Sequence, residues 1–241
     1  MGRLGIFPHE LSGFTDSVSQ LPGITIAGVM SHFPSSDEPH VSTTRDGFEI
    51  FSKVCRDLKI RYNSICHIAN SGAVFNFPTT HCDMIRAGIA LYGYHPAGSG
   101  LASASDVEKL TPAMSFTTEV IQVKDHPIGS GISYGHTYVT PSLERIAVLP
   151  VGYEDGFSRR WSNCGEVLVH GQRAPVRGRV CMNMSMVDVT DIKGVTPGSE
   201  VVILGSQGRE AISADDLAAG IGTISYEILC TFGNSNCRKY I

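Results

Sequence analysis

The 241-residue sequence lacks an excess of basic residues, a long apolar run and a closely spaced pair of cysteines. Its formal net charge of −4 at pH 7 gives none of the positive charge that nucleic-acid binding requires. No apolar stretch approaches the roughly 20 residues of a membrane-spanning helix, and the first residues do not follow the pattern of a secretory signal peptide. We therefore expect a cytoplasmic protein that binds neither nucleic acid nor membrane.

The seven cysteines are odd in number and irregularly spaced, and no C-x-x-C pair occurs among them. This spacing predicts neither a zinc site nor a redox motif, and we expect no metal site. The thiols are instead expected to pack as small apolar side chains in a reducing compartment.

The first hundred residues alternate segments typical of strands and helices. Residues 24–30 form a nearly continuous apolar run, as in a strand buried on both faces, and residues 64–69 and 83–86 are shorter strand candidates. Between the first two, residues 42–58 carry apolar side chains at three- and four-residue steps, which predicts an amphipathic helix. This alternation favours parallel β/α units, so residues 1–96 are predicted to be part of a β/α barrel.

A different pattern follows residues 97–109, which are small and polar and are predicted to be a linker. From residue 110 to 241, short apolar or alternating segments separated by turn residues predict a mostly antiparallel β domain. Within it, Ser213 followed by Asp216 predicts the start of a helix. The predicted fold class is α/β plus β. Because the sequence opens in loop and helix, we expect it to begin within a barrel whose first strands are missing.

The segment from Gly131 to Tyr138 carries the most specific chemical pattern. Tyr134 lies between Ser133 and Gly135, and small neighbours let a tyrosine hydroxyl reach a cleft without crowding. A phenol with a pKa of about 10 is a poor base unless its surroundings stabilise the phenolate. An aromatic plug at a domain edge explains the same residues, so the residues alone leave both interpretations open.

Seven further motifs accompany this one, at residues 1–5, 31–33, 67–72, 86–93, 150–156, 178–183 and 223–227. Together with S-Y-G-x-T-Y around Tyr134, they resemble in order the motifs of the pyridoxal-phosphate-dependent alanine racemases, including H-x-A-N-S-G and R-x-G-I-x-L-Y-G. The resemblance covers essentially the whole sequence. It implies a TIM-type (β/α)8 barrel that binds pyridoxal 5'-phosphate, and a homodimer with shared active sites. It also implies interconversion of L- and D-alanine through a cofactor aldimine and two acid–bases, with D-alanine serving peptidoglycan synthesis.

The resemblance gives catalytic roles to Tyr134, His32 and Arg86. Tyr134 would exchange the α-proton on the L-alanine face in the neighbouring subunit's site, and His32 would hydrogen-bond within the tyrosine and arginine network. Arg86 would face the pyridine nitrogen. An always-charged guanidinium disfavours protonation of that nitrogen, which limits carbanion delocalisation and suits a racemase that must avoid transamination. From the residues alone, a structural histidine and a surface salt bridge remain open for His32 and Arg86.

The cofactor phosphate is assigned by the same resemblance to Ser71, to the backbone of Gly88 and Ile89, and to Tyr226. A hydroxyl and backbone N–H groups at a helix start also suit an anion on physical grounds, although an ordinary helix cap needs the same residues. Ser225 replaces the family's asparagine beside Tyr226.

Substrate contacts are implied at Arg3, Met182 and Tyr153. Arg3 would contact substrate and the cofactor's phenolic side, the Met182 backbone N–H would bind the substrate carboxylate, and Tyr153 would line the partner's entrance. A packed aromatic and a core methionine are the alternatives for the last two. Asn183 stands where the family has an aspartate, which removes a carboxylate charge at this position.

The family's Schiff-base lysine, found in an A-V-x-K-A-x-A-Y-G-H-G context, has no counterpart among the six lysines of the sequence. All six are expected to be solvated surface residues. We therefore expect this chain alone to be inactive. Two alternatives stay open. One is a non-catalytic fragment that serves as a dimerisation or phosphate-binding module, and the other is a racemase for serine or a broader set of amino acids.

Overall fold

The structure is a computed structural model, and it describes residues 1–98 and 110–240. It divides into two compact units, Met1–Thr111 and Pro112–Ile241. Most of the predicted linker at residues 97–109 lies outside the described residues, and the domain boundaries drawn from the sequence stay a prediction.

The first unit contains helices and a pair of parallel strands. In chain order these are α1 (Leu11–Ser19), β1 (Gly28–Met30), α2 (Thr43–Tyr62), β2 (Ile65–His67) and α3 (Ser71–Asn76). Short 3₁₀ turns occur at Pro8–Glu10, Pro78–Thr80 and Ile89–Tyr92. Strands β1 and β2 pair in parallel, with Val29 opposite Cys66. The loops that follow the two strands therefore leave from the same edge.

The amphipathic helix predicted over residues 42–58 is confirmed as α2. Its apolar face buries Phe51, Cys55 and Leu58, because side chains three and four positions apart lie on one side of a helix. The helix extends to Tyr62. Asn63 follows as its C-cap in a left-handed conformation (φ 51°), which asparagine tolerates. Helix α2 thereby covers the core of the first unit.

The long buried strand predicted at residues 24–30 is wrong in extent and in burial. Only Gly28–Met30 forms a strand, and Ile24 and Met30 are 53% and 56% exposed. Among the described residues β1 pairs with β2 alone, so one of its edges has no neighbouring strand. An apolar run shows the tendency to be buried, but burial needs covering elements that a local pattern does not contain.

The strand predicted at residues 83–86 does not form. Asp83 N–H donates to the Cys66 carbonyl (3.1 Å), and Arg86 N–H donates to the Ala69 carbonyl (2.9 Å). These two bonds carry the segment alongside the end of β2 without a regular ladder. They bring Arg86 to the edge from which the loops after β1 and β2 leave.

The second unit consists mainly of antiparallel strands, which confirms the predicted β domain. They are β3 (Phe116–Glu119), β4 (Gln122–His126), β5 (Gly131–Ile132), β6 (Tyr138–Val139), β7 (Glu144–Leu149), β8 (Glu166–Val169), β9 (Gln172–Pro175), β10 (Ser185–Asp188), β11 (Glu200–Gln207) and β12 (Glu210–Ile212). One sheet has the order β10-β7-β4, and a second joins β3, β8, β9 and β12 with β11. Strands β5 and β6 form a separate hairpin around Tyr134.

Two helices, α4 (Ala214–Ile221) and α5 (Ser225–Ser235), complete the second unit. Trp161 lies in its core at 2% exposure, with its indole N–H donating to the Leu217 carbonyl of α4 (3.2 Å). Its ring lies 4.8 Å from that of Phe157 and 6.1 Å from that of Phe232 on α5. Across the described residues of the chain, no helix is long and apolar enough to cross a membrane.

The expectation that the cysteines pack as buried apolar side chains holds only in part. Cys55 and Cys66 are buried in the first unit and Cys181 is half-buried, whereas Cys82, Cys164, Cys230 and Cys237 are exposed. The exposed thiols lie in turns, on α5 or, for Cys237, just after α5. Residue type alone did not reveal these positions.

The predicted helix start at Ser213 is confirmed as a capping box at α4. The Ser213 hydroxyl oxygen accepts from Asp216 N–H (3.0 Å), and the Asp216 carboxylate accepts from Ser213 N–H (2.9 Å). The two bonds satisfy N–H groups that have no partner within the helix. The acidic side chain also lies at the positive end of the helix dipole.

We predict that Ser213→Ala lowers the free energy of unfolding by about 1 kcal/mol, because the cap is lost. Denaturant unfolding followed by circular dichroism measures the change. Ser206→Ala, at an exposed position of β11, is the matched control and should shift the value by less than about 0.5 kcal/mol. Equal effects of the two substitutions would contradict a capping role.

Candidate active site

Arg86 lies at the centre of a polar cluster in the first unit. Its Nη2 donates to the carbonyls of Ser31 (2.7 Å) and Ile68 (3.3 Å), which follow β1 and β2. Among the described residues it makes no ion pair with a carboxylate. Within the described part of the chain, Arg86 is therefore not part of a surface salt bridge. The cation is instead held by carbonyl dipoles at the carboxyl ends of two parallel strands.

Two histidines flank this guanidinium. His67 Nδ1 lies 2.5 Å from Arg86 Nη1, and His32 Nδ1 lies 3.3 Å from Arg86 Nη2. A guanidinium has no acceptor, so these ring nitrogens can only accept, and His67 then carries its proton on Nε2. Burial, followed by the charge of Arg86, lowers the pKa of both imidazoles below the usual value. Both rings are therefore neutral at neutral pH.

Asn70 holds the other side of His32. Its Oδ1 accepts from Ala73 N–H (3.2 Å), which caps α3, and from the Ser36 hydroxyl (2.5 Å). These bonds orient the amide so that its Nδ2 faces His32 Nε2 at 3.3 Å. With Nδ1 accepting from Arg86, the proton of the neutral His32 ring lies on Nε2, so the approach of Asn70 Nδ2 is a polar contact, and that amide donates to the Phe33 carbonyl (3.4 Å).

Ser71 is buried in the first turn of α3. Its Oγ accepts N–H groups from Gly88 (2.8 Å) and Ala90 (3.4 Å). Three residues predicted to bind phosphate, namely Ser71, Gly88 and Ile89, therefore lie together at the start of the 3₁₀ turn Ile89–Tyr92. Within the described part of the chain the Ser71 hydroxyl donates to no protein acceptor, so its proton is available to an oxygen of a ligand.

Arg3 and Tyr226 make fewer contacts that bear on their predicted roles. Arg3 is exposed, and its charge adds to burial and Arg86 in lowering the pKa of His32. Tyr226 belongs to the second unit, where it lies in the first turn of α5 and is 40% exposed.

His67 and Asn70 are site residues to which the sequence gave no role. Both lie in the motif at residues 67–72, which was singled out for Ser71. The available signal was their position at or just beyond the carboxyl end of a strand, where sites are built in parallel β/α folds. The partners that matter lie far along the chain, since His67 contacts Arg86 19 positions on and Asn70 contacts His32 38 positions back.

Replacing Arg86 by methionine should raise the pKa of His67 and of His32, because the neighbouring positive charge is removed while the burial remains. The rise is expected to be partial, since burial is the larger cause. NMR titration of the ring nitrogens measures it. The control Arg61→Met removes a charge from the last turn of α2 and should leave both rings unchanged. Unaltered titration in the Arg86 variant would contradict the assigned network.

Tyr134 is presented by the β5–β6 hairpin of the second unit. Positive φ angles occur in the tip at Ser133 (60°), Gly135 (69°) and His136 (44°), a conformation that costs energy at non-glycine residues. The Tyr134 side chain is 73% exposed. Within its own unit it is not an aromatic plug, and its hydroxyl is free to meet a ligand.

Tyr134 and Met182 line the same open cleft, which has a volume of about 740 Å³. Strands β4 and β7 contribute Lys124 and Ile146 to the same cleft. Met182 is 52% exposed, so its interpretation as a core-filling methionine is wrong. Its backbone N–H donates to no protein acceptor among the described residues, as a group that receives a ligand carboxylate would need.

The loop at Tyr153 is fastened to the loop at Met182. Tyr153 N–H donates to the Cys181 carbonyl (3.0 Å), and Glu154 N–H donates to the Met182 carbonyl (3.1 Å). Gly152 permits this approach, because a Cβ there would lie 2.2 Å from the Met182 carbonyl oxygen. The Tyr153 side chain, 44% exposed, is therefore held at a fixed position relative to the Met182 backbone.

Asn183 has a partner that the sequence did not reveal. Its Nδ2 donates to Glu154 Oε2 at 2.6 Å, which adds a side-chain link between the same two loops. An aspartate at this position would set two carboxylates against each other. The departure from the family pattern at Asn183 was itself the available signal, but it did not identify Glu154.

We predict that Asn183→Asp lowers the free energy of unfolding by about 1 kcal/mol at low ionic strength and by less at 1 M salt, because repulsion between exposed charges is screened. Urea unfolding at the two salt concentrations measures the difference. Asn183→Ala, which loses the hydrogen bond without adding a charge, should show no such salt dependence. The same salt response in both variants would argue against the Asn183–Glu154 contact.

The first unit thus combines a guanidinium, neutral imidazoles and a serine hydroxyl beyond parallel strands, and the second presents a tyrosine on a strained hairpin of a β domain. These features define a β/α-plus-β protein with a polar candidate site in its first unit and an exposed tyrosine in its second. Residues 1–96 match the family model of the alanine racemase N-terminal domain, and residues 113–240 match that of the C-terminal domain. The chain belongs to the alanine racemase family, which confirms the resemblance seen in its motifs.

Individual relatives agree with this assignment. Alanine racemase of Halothermothrix orenii is 44% identical over the whole of this chain, which covers 63% of that protein. The crystal structure of Bacillus anthracis alanine racemase with bound L-Ala-P has a TM-score of 0.87 at 38% identity, over 96% of this chain and 60% of that one. Alanine racemase from Bartonella henselae with covalently bound pyridoxal phosphate has a TM-score of 0.83 at 26% identity, over 100% and 64%. The chain spans less than two thirds of each relative.

Proposed function

We propose that this chain supplies the cofactor-binding and tyrosine-side machinery of an alanine racemase, which interconverts L- and D-alanine and provides D-alanine for peptidoglycan. The observation that carries the proposal is the set of contacts around Arg86. A guanidinium held by carbonyls and neutral imidazoles, with no carboxylate among its described partners, remains a full positive charge. Such a group suits a cofactor ring nitrogen that must stay unprotonated.

The residues present fit pyridoxal 5'-phosphate. The Ser71 hydroxyl, with its proton free of described protein acceptors, suits the phosphate. The Gly88 N–H donates to that hydroxyl and so holds the backbone of Gly88 and Ile89 beside it. To these phosphate ligands we add Tyr226 from α5. Arg86 Nε makes no hydrogen bond within the described residues, so that N–H is available to the ring nitrogen. The covalently bound cofactor of the Bartonella henselae relative supports this choice.

Pyridoxal phosphate, when bound, would draw charge from the amino acid's Cα and so acidify its α-proton. Tyr134 would remove or return this proton on the L-alanine face, because its hydroxyl is exposed beside the cleft. His32 and Arg86 would hydrogen-bond within the polar network that surrounds the reacting groups. The Met182 N–H and Arg3 would orient the substrate carboxylate, and Tyr153 would line the entrance. L-Ala-P bound to the Bacillus anthracis relative supports an alanine-sized ligand.

The second acid–base in this proposal is a Schiff-base lysine outside the six lysines of this sequence. The five described lysines are all exposed, and Lys59 is engaged with Asp83 at 2.5 Å. Lys53 and Lys59, the two described lysines of the first unit, form no described hydrogen bond with Arg86 or Ser71. This chain alone is therefore expected to be inactive.

The remaining architecture follows from the same proposal. The parallel pair of β1 and β2, with site residues beyond their carboxyl ends, is consistent with the C-terminal part of a TIM-type barrel. Tyr134 and Met182 are exposed together on one cleft, which suits a cytoplasmic homodimer in which each subunit contributes to its partner's site. No nucleic acid or membrane enters the proposal.

Replacing Tyr134 by phenylalanine in the full-length protein should reduce D-alanine formation from L-alanine by roughly 10²- to 10⁴-fold, because one acid–base is lost. Cofactor binding, followed by its visible absorbance, should persist. Chiral chromatography of the product measures the rate. Tyr240→Phe, at an 85% exposed tyrosine, is the matched control and should retain full activity. Undiminished racemisation by the Tyr134 variant would contradict its role.

Borohydride reduction of the wild-type protein locates the lysine that holds the cofactor. Peptide mapping should place the label outside the six lysines of this sequence, and a label on one of the six would overturn that part of the proposal. A protein that binds cofactor but turns over no amino acid would favour a phosphate-binding or dimerisation module. Faster turnover of serine than of alanine would favour the broader racemase.

A further inference from the structure

We propose that Tyr138 is a positioning residue that holds the β5–β6 hairpin so that Tyr134 keeps its orientation. The inference rests on the proposed function of Tyr134 as an acid–base. Tyr138 lies on β6, opposite Ile132 of β5, and therefore closes the hairpin whose tip carries Tyr134. The sequence pattern contained both tyrosines but gave a role only to the first.

A buried carboxylate fixes the Tyr138 hydroxyl. Tyr138 donates to Glu144 Oε1 at 2.6 Å, and Glu144, the first residue of β7, is only 5% exposed. Its other oxygen, Oε2, has no partner among the described residues. The tyrosine hydroxyl is thus the only described hydrogen-bond donor to this side chain. Leaving a buried carboxylate without it is costly, so the pair is strongly held.

Arg177 holds the ring of Tyr138 from the other side. Its guanidinium carbon lies 4.6 Å from the ring centroid, and its Nη2 pairs with Asp188 at 3.0 Å. The hairpin is therefore tied through Tyr138 to β7 at Glu144 and to β10 at Asp188. Burial, followed by the hydrogen bond to Glu144, raises the pKa of Tyr138 to about 12. Tyr138 consequently stays protonated and serves as an anchor.

The segment of residues 177–179 also packs against the hairpin. The Ser133 hydroxyl donates to the Arg179 carbonyl at 2.6 Å. At Gly178 a Cβ would lie 2.6 Å from the Ile132 carbonyl oxygen, so only glycine allows the backbones to approach so closely. This segment continues directly to Met182. The orientation of Tyr134 and the position of the Met182 N–H are therefore set by one stretch of backbone.

The tip of the hairpin needs such an anchor because its conformation is strained. Ser133 and His136 have positive φ angles of 60° and 44°, and Tyr134 between them is mostly exposed. Strained backbone persists only where the surroundings over-determine it. The contacts at Ser133 hold one side of the tip, and Tyr138 holds the other.

Tyr138→Phe in the full-length, cofactor-loaded protein tests the inference. We expect kcat to fall by about tenfold with a smaller change in KM, because misplacing a catalytic group slows the chemical step. The primary isotope effect with α-deuterated L-alanine should rise, because proton removal by Tyr134 becomes more rate-limiting. The effect with α-deuterated D-alanine should not rise. A merely destabilised protein would lose active molecules without altering either isotope effect, and that result would overturn the inference.

A double variant separates positioning from stability. In Tyr138→Phe with Glu144→Leu no buried carboxylate is left unpaired, so the melting temperature should recover while the isotope effect with L-alanine stays raised. If the melting temperature and the wild-type isotope effect with L-alanine both recovered, the inference would be overturned. Tyr240→Phe is the control for loss of a tyrosine hydroxyl alone and should leave kcat, KM and both isotope effects unchanged.

Hydrogen–deuterium exchange of residues 131–139 provides a readout that is independent of activity. Tyr138→Phe should speed exchange in this hairpin, and Tyr240→Phe should not. If the wild-type protein racemises no alanine, the proposed function fails, yet faster exchange would still support the anchor. Unchanged exchange would overturn the anchor whatever the activity.

Discussion

The guanidinium of Arg86 is the constraint on which the candidate cofactor site depends. It binds the carbonyls that follow β1 and β2 and contacts the imidazoles of His32 and His67. Burial lowers the pKa of both rings, and the charge of Arg86 lowers it further, because a second positive charge would be repelled. The loops that follow the two strands therefore surround the positive charge of Arg86. This arrangement, with no carboxylate among the described partners of Arg86, supports the proposed site for an unprotonated ring nitrogen.

In the second unit, the backbone has to hold exposed side chains in fixed positions. Tyr134 and Met182 lie open to a cleft, and neither gains much from burial in its own unit. Their positions are set by backbone approaches that require glycine at Gly152 and Gly178, and by the buried bond from Tyr138 that we propose as an anchor. Rigid support beneath exposed side chains is what preorganised catalysis demands.

Local features of the chain could be predicted from the sequence, and features that depend on distant contacts could not. Helix α2 and the cap at Ser213 arise from residues within a few positions of one another, so periodicity and residue type were sufficient. The apolar run before Met30 gave no information about its covering elements, which explains its wrong burial. The pair Asn183 and Glu154 is separated by 29 positions, and only the folded backbone brings the two side chains together. Motifs identified the family, but the contacts within the site had to come from the structure.

The protonation state of the cofactor's ring nitrogen tests the central claim most directly. The full-length protein would be loaded with pyridoxal phosphate labelled with ¹⁵N in the ring, and the nitrogen observed by NMR near neutral pH. An uncompensated Arg86 guanidinium flanked by neutral histidines predicts a ring nitrogen that carries no proton. A protonated ring nitrogen would contradict this account of the Arg86 cluster and, with it, the basis of the proposed racemase.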